Sequence, residues 1–231
     1  MGKQTRVGMV RAWVGCALGL LIAPELVHAS ATIDIPGVSR MLSLEEHTRI
    51  QQVIESEITP IDVAAGSELL QRLNQGKIKV WLKKGFGFTN PMNGIIAIAE
   101  PFLSLDGTFT GLKTRKLKSM DGLLPFLAPE TALPVREKAS QMFLASMLFH
   151  ENIHCRQGRR YWVIGDVAVL AASNLSTALK GPNPMELEAY TEQLEYTWKV
   201  EERWRRNRSE KVANFAKILS EIVEKSLHAY Q

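Results

Sequence analysis

Apolar and polar positions divide the chain into a helical start, a short stranded middle and a helical second half. Ser43-Leu44-Glu45-Glu46 has capping-box spacing and predicts a helix running to about Glu57, before Thr59-Pro60. A second helix is expected from about Ala64 to Asn74, with Gly76 placed to end it. From Lys77 to Lys83, Ile78, Val80 and Leu82 alternate with lysines, the period of a half-buried strand. Asn90 to Gly94 is rich in turn formers, and Ile95 to Ala99 is a short apolar run that predicts a second strand. Residues 104–133, with their Gly, Pro, Thr and Lys, read as a long surface loop.

From Pro134 the period becomes helical as far as about Gln157, and a very apolar helix is expected from Trp162 to Leu179. Gly181-Pro182-Asn183-Pro184 breaks the chain; Asn183 can cap and Pro184 can start a last helix towards the C-terminus. There is no internal repeat and no linker-like tract. The order predicts an α+β fold: a short antiparallel sheet, then a central helix, then C-terminal helices, in a single domain over residues 30–231.

The first 29 residues stand apart. Lys3, Arg6 and Arg11 precede an uncharged, mostly apolar run from Ala12 to Pro24, and Val27-His28-Ala29 has cleavage-site spacing. This order reads as a secretory signal peptide, too short in its apolar run to span a bilayer. The expected location is therefore secreted or periplasmic, with no membrane span after cleavage. Removing residues 1–29 takes away those three basic residues and Glu25, leaving 25 Lys and Arg against 23 Asp and Glu. With so little net charge, nucleic acid is not the expected partner; the basic stretches at 113–118 and 203–208 read as solvated faces. Cys155 alone remains after cleavage, so no intramolecular disulfide is expected and the fold must rest on its core or on a metal.

The chemistry is concentrated in His150-Glu151-Asn152-Ile153-His154, inside the helix that begins near Pro134. Residues four apart lie one above the other on a helix face, so two imidazoles can converge on one zinc ion. Glu151 lies beside them without being a ligand and can take the proton of a metal-bound water as general base. A catalytic zinc has three protein ligands and an open position, so a third ligand is expected downstream. Pro184-Met185-Glu186-Leu187-Glu188 offers two carboxylates. Glu188 lies on a charged stripe with Glu192, Glu195, Lys199 and Glu202, whereas Glu186 borders the apolar stripe of Leu187, Tyr190, Leu194 and Trp198, beside Gln193 and Thr197. Glu186 is the preferred ligand and Glu188 the alternative. Asn183 and Glu186 also have approximate capping spacing, which would account for the glutamate without metal.

His150-Glu151-x-x-His154 with Glu186-x-x-Ala189 resembles the two motifs of the gluzincin metallopeptidases. The resemblance covers roughly residues 77–200. It implies a small zincin-like domain, Zn2+ as cofactor and a peptide or protein as substrate, bound as an added strand along a sheet edge, here Ile95 to Ala99. Tyr190 stands where the family often has an aspartate that orients a zinc histidine, so another carboxylate or a carbonyl has to serve. Arg156 replaces an apolar position. Tyr161, Tyr190, Tyr196 and His228 are the candidates for stabilising a developing oxyanion. His47 reads as solvent-exposed and Cys155 as packing. The expected activity is that of an exported zinc peptidase; the alternatives are a cell-wall amidase using the same chemistry, or a non-catalytic zinc protein that binds a partner.

Overall fold

A computed structural model describes residues 39–82, 87–90, 93–103, 123, 126, 131–164, 183–207 and 210–230. The expected signal peptide, most of the 104–133 loop and most of the helix expected over 162–179 lie outside the described residues. Among the described residues no helix is long and apolar enough to cross a membrane.

The fold is α+β. Strand β1 (Ser39–Met41) leads into helix α1 (Leu44–Val53), which the capping box starts: Ser43 accepts from the Glu46 amide, and the Glu46 carboxylate accepts from the Ser43 amide. The helix continues as a π-turn, Ile54–Ile58, which buries Glu57 against Lys138. Asp62 caps α2 (Val63–Asn74), and Gly76 follows it at φ +65°. Strands β2 (Ile78–Trp81), β3 (Gly87–Asn90) and β4 (Ile95–Ala99) come next, then a 3-10 turn, Glu100–Leu103. Three long helices complete the chain: α3 (Leu133–Ile164), α4 (Pro184–Arg206) and α5 (Glu210–His228).

The sheet is mixed, and this corrects the expected antiparallel one. Its order is β1-β2-β4-β3, with β2 and β4 parallel and both outer pairs antiparallel. Sequence reading took 90–94 as the turn between two strands and missed β3, the strand that carries the chain back so that β4 runs beside β2. Ile95–Ala99 is therefore an interior strand, not the edge strand expected for substrate. Its unbroken apolar run fits that place: all five residues are buried, the signature of a strand covered on both faces. The edge beside the helices is β3.

Gly94 closes the β3–β4 turn at φ +68°, where a Cβ would lie 2.3 Å from Arg72 Nη1. Only glycine suits both the backbone and the approach. The buried Arg72 guanidinium donates to the Gly94 carbonyl at 2.9 Å, tying α2 to the start of β4.

Helix α3 is the hub. Pro134 sits in its first turn, and its 32 residues give about 48 Å of helix. It packs against α1, the π-turn, α2, β3, β4, α4 and α5. Buried residues therefore occur on every side of it, including Met142, Leu144, Leu148, Ile153 and Cys155. The helix does not stop near Gln157; it passes through Gly158 to Ile164. The last helix expected from sequence is two, α4 and α5, packed on each other. The buried stripe of α4 is Met185, Ala189, Gln193, Tyr196, Thr197 and Val200, with Leu194 at its margin. Trp198, expected in the core, is 52% exposed.

Candidate metal centre

His150 and His154 lie on the side of α3 that faces α4. Both are buried, at 8% and 7% exposure. Their Nε2 atoms are 3.1 Å apart. Glu186 enters from the first turn of α4, with one carboxylate oxygen 3.4 Å from His150 Nε2 and the other 3.5 Å from His154 Nε2. Asn183 holds that turn by accepting from the Met185 and Glu186 amides at 3.0 and 3.3 Å. Capping and site thus share one segment: the cap fixes where the Glu186 side chain begins, and the carboxylate turns to the imidazoles. His150, His154 and Glu186 form a group whose potential ligand atoms lie within 4.8 Å of one another. Glu188 is not in it; its carboxylate accepts instead from Gln157 Nε2 at 3.1 Å.

Two glutamines decide the state of the imidazoles. Gln193 Nε2 lies 3.1 Å from the Ser146 carbonyl and 2.8 Å from its hydroxyl. A backbone carbonyl only accepts, so that atom is the amide nitrogen and the other is Oε1, which lies 3.0 Å from His150 Nδ1. Gln157 Nε2 donates to the Met185 carbonyl at 2.9 Å and leaves Oε1 at 2.8 Å from His154 Nδ1. Both Nδ1 atoms therefore carry hydrogen. In neutral imidazoles the Nε2 atoms are then lone pairs, and both point at each other and at a carboxylate. Three acceptors converging in a buried space require a cation, either a shared proton or a metal. Without metal, burial works against protonation of His154, but the Glu186 carboxylate outweighs it and lifts the pKa to about 9. Burial likewise opposes ionisation of Glu186, and the two imidazoles overcome it, holding the carboxyl well below its ordinary range. The donor set of two nitrogens and one oxygen at this spacing fits a tetrahedral divalent ion with one open position.

Glu151 is half-buried beside the histidines, and Thr89 on β3 donates its hydroxyl to the Glu151 carboxylate. On the other side Tyr190 packs its ring 4.6 Å from that of His150, and Tyr230 stacks on Tyr190 at 5.5 Å. Burial, then the Glu186 charge, raises both phenol pKa values. Of the three tyrosines named as oxyanion candidates, Tyr190 lies beside His150. Tyr196 is buried elsewhere, donating to the Glu57 carbonyl at 3.3 Å and stacking on Phe149. His228 is exposed on the last turn of α5, and the Tyr161 side chain lies outside the described set. His47 is half-buried on α1, and Cys155 is fully buried.

Sequence reading missed Thr89, Gln157 and Tyr230. Gln157 carried a usable signal, since it lies three residues after His154 on the same helix. Thr89 and Tyr230 carried none; only folding brings them in. A carbonyl oxygen stands at the His150 Nδ1, that of the Gln193 amide. The chain matches no protein-family profile, no curated protein and no solved structure.

Proposed function

We propose that the protein is a zinc-dependent hydrolase that cleaves peptide bonds, exported by its N-terminal segment. The observation that carries this reading is the convergence of two imidazole lone pairs and the Glu186 carboxylate, with the Glu151 carboxylate held beside them by Thr89. A site that only stored metal would have no use for an acceptor at Glu151.

His150, His154 and Glu186 would hold the ion. Bound zinc supplies a Lewis acid for the scissile carbonyl and acidifies water. Glu151 takes the proton of the attacking water and returns it to the leaving amine. Tyr190 is the phenol nearest the histidines; burial keeps its hydroxyl protonated, and in this reading it turns from its Ser226 partner to donate to a developing oxyanion. The zincin-like reading is supported by a helix that carries both histidines alongside an edge strand antiparallel to its neighbour. In that reading an extended peptide adds to β3, next to Glu151, and not to the interior strand β4.

Zinc content of the purified protein, paired with Glu151→Gln in a mixed-peptide cleavage assay, tests it. One zinc per chain in both proteins, with cleavage only in the unaltered one, is the expected result. Zinc without cleavage that depends on Glu151 would leave a binding site and no enzyme. Absence of zinc binding would remove the metal reading altogether.

A further inference from the structure

The amide oxygens at the two histidines have a consequence beyond the ligand set. A histidine that binds metal usually donates its second N–H to a carboxylate, carbonyl or water, and that partner fixes the ring and tunes its basicity. Here both partners are glutamine amides, and each amide is locked by its other end. We propose, on the basis of the metal reading above, that Gln193 and Gln157 are positioning residues that fix both imidazoles with Nε2 directed at a divalent ion while adding no charge.

The two locks differ. Gln193 is held by the Ser146 carbonyl, which only accepts, and by the Ser146 hydroxyl, which can turn to donate or accept. Gln157 is held by the Met185 carbonyl and the Glu188 carboxylate, which only accept. Both glutamines are buried, at 7% and 1% exposure, so water does not substitute for either. Because the amides are neutral, the imidazoles stay weaker donors than carboxylate-held ones, and the ion keeps more of its charge for a substrate carbonyl.

The asymmetry supplies a test that needs no substrate. Zinc affinity of the full chain is measured by competition with a chromophoric chelator, and Co2+ absorption reports the ligand geometry. Gln193→Leu and Gln157→Leu are each expected to weaken zinc by about 10- to 100-fold. Gln193→Glu sets its carboxylate against the Ser146 carbonyl but also against the Ser146 hydroxyl, which can turn to donate, so it is expected to weaken zinc less than the leucine does. Gln157→Glu places that carboxylate against Met185 and Glu188 and is expected to weaken zinc as much as the leucine does. Adding Glu188→Gln to Gln157→Glu restores a donor, and affinity should recover.

A merely structural role would give neither the unequal behaviour of the two glutamates nor the recovery. If the leucine variants fail to fold, the glutamate variants and the recovery decide. Equal affinity in all variants, with normal zinc binding in the unaltered chain, overturns this proposal and leaves the metal reading intact. No zinc binding by the unaltered chain overturns both.

Discussion

Opposite faces of α3 carry polar clusters of similar size and opposite character. On the α4 side, His150, His154 and Glu186 bring three acceptors together with no donor among them once the glutamines have fixed both Nδ1–H groups. On the α2 side, donors and acceptors alternate. Arg72 Nε donates to Asn152 Oδ1 at 3.0 Å, Asn152 Nδ2 donates to Glu68 at 3.0 Å, and Arg156 Nε donates to the same Glu68 oxygen at 2.9 Å. Arg72 also donates to Gly94, and Arg156 lies 3.7 Å from Glu192. The closed network joins α2, α3, β4 and α4 and holds the helix in register. The open one is completed only by a shared proton or a divalent ion. Buried polar clusters are costly when half satisfied, so the difference marks one face as scaffold and the other as site.

Breaking the open face should cost function and little stability. Glu186→Gln or His154→Leu is expected to weaken zinc by more than about a hundredfold, beyond the loss from an outer partner. In chelator and above the His154 pKa of about 9, both variants should unfold in urea at or above the midpoint of the unaltered protein, because each removes an acceptor from a cluster that no longer shares a proton. A fall of several kcal/mol there would mean that the cluster is scaffold.

Breaking the closed face should do the reverse. Arg72→Met leaves the Gly94 carbonyl and the Asn152 amide oxygen without their donor, and it should lower unfolding free energy by about 3 kcal/mol. The loss should be equal with zinc and with chelator. Asn152→Ala cuts the same network at one point and should cost about 1–2 kcal/mol, read from the same urea curves. An Asn152→Ala protein of unchanged stability would show that the network does not hold α3.

The smallest effect lies on neither face. Glu46 caps α1 and pairs with Arg40 at 2.8 Å. The Arg40 hydrogen bond, partly opposed by burial and aided by Ser43, lowers its pKa from 4.5 to about 2. A depressed carboxylate adds stability above its unfolded value and loses it as pH falls through the folded one. Glu46→Gln should therefore cost about 1 kcal/mol at pH 7, a solvent-screened amount. The gap between the two proteins should narrow from about pH 4.5 and close near pH 2. A gap that is constant with pH would assign the effect to capping geometry alone.

Local physics was legible in the sequence. The capping box at Ser43, the glycine stop at Gly76, the Asn183-Pro184 start and the histidine pair at helical spacing each depend on a few neighbouring residues, and the helices expected from Leu44, Ala64 and Pro184 begin within a residue of their observed places. Helix periodicity favoured Glu186 over Glu188, and Glu186 does lie with the histidines, although the buried stripe of α4 runs through Met185, Ala189, Gln193 and Tyr196 and not through the expected Leu187, Tyr190 and Trp198. Sheet order was not legible. Gly87–Asn90 has too little apolar character to announce β3, and without β3 the parallel pairing of β2 and β4 could not be inferred. Nor could the exposure of Trp198, which depends on where α5 returns along α4. Thr89 reaches Glu151 across 62 positions, and Gln193 reaches His150 across 43. Such pairs have no signature in one chain, because nothing local distinguishes a threonine or glutamine that meets a distant partner from one that meets water. The sequence by itself picked out the residues proposed to hold an ion and the helices on which they stand; the tertiary structure alone decided which groups hold them in place, since that depends on how α2, β3 and α4 pack around α3.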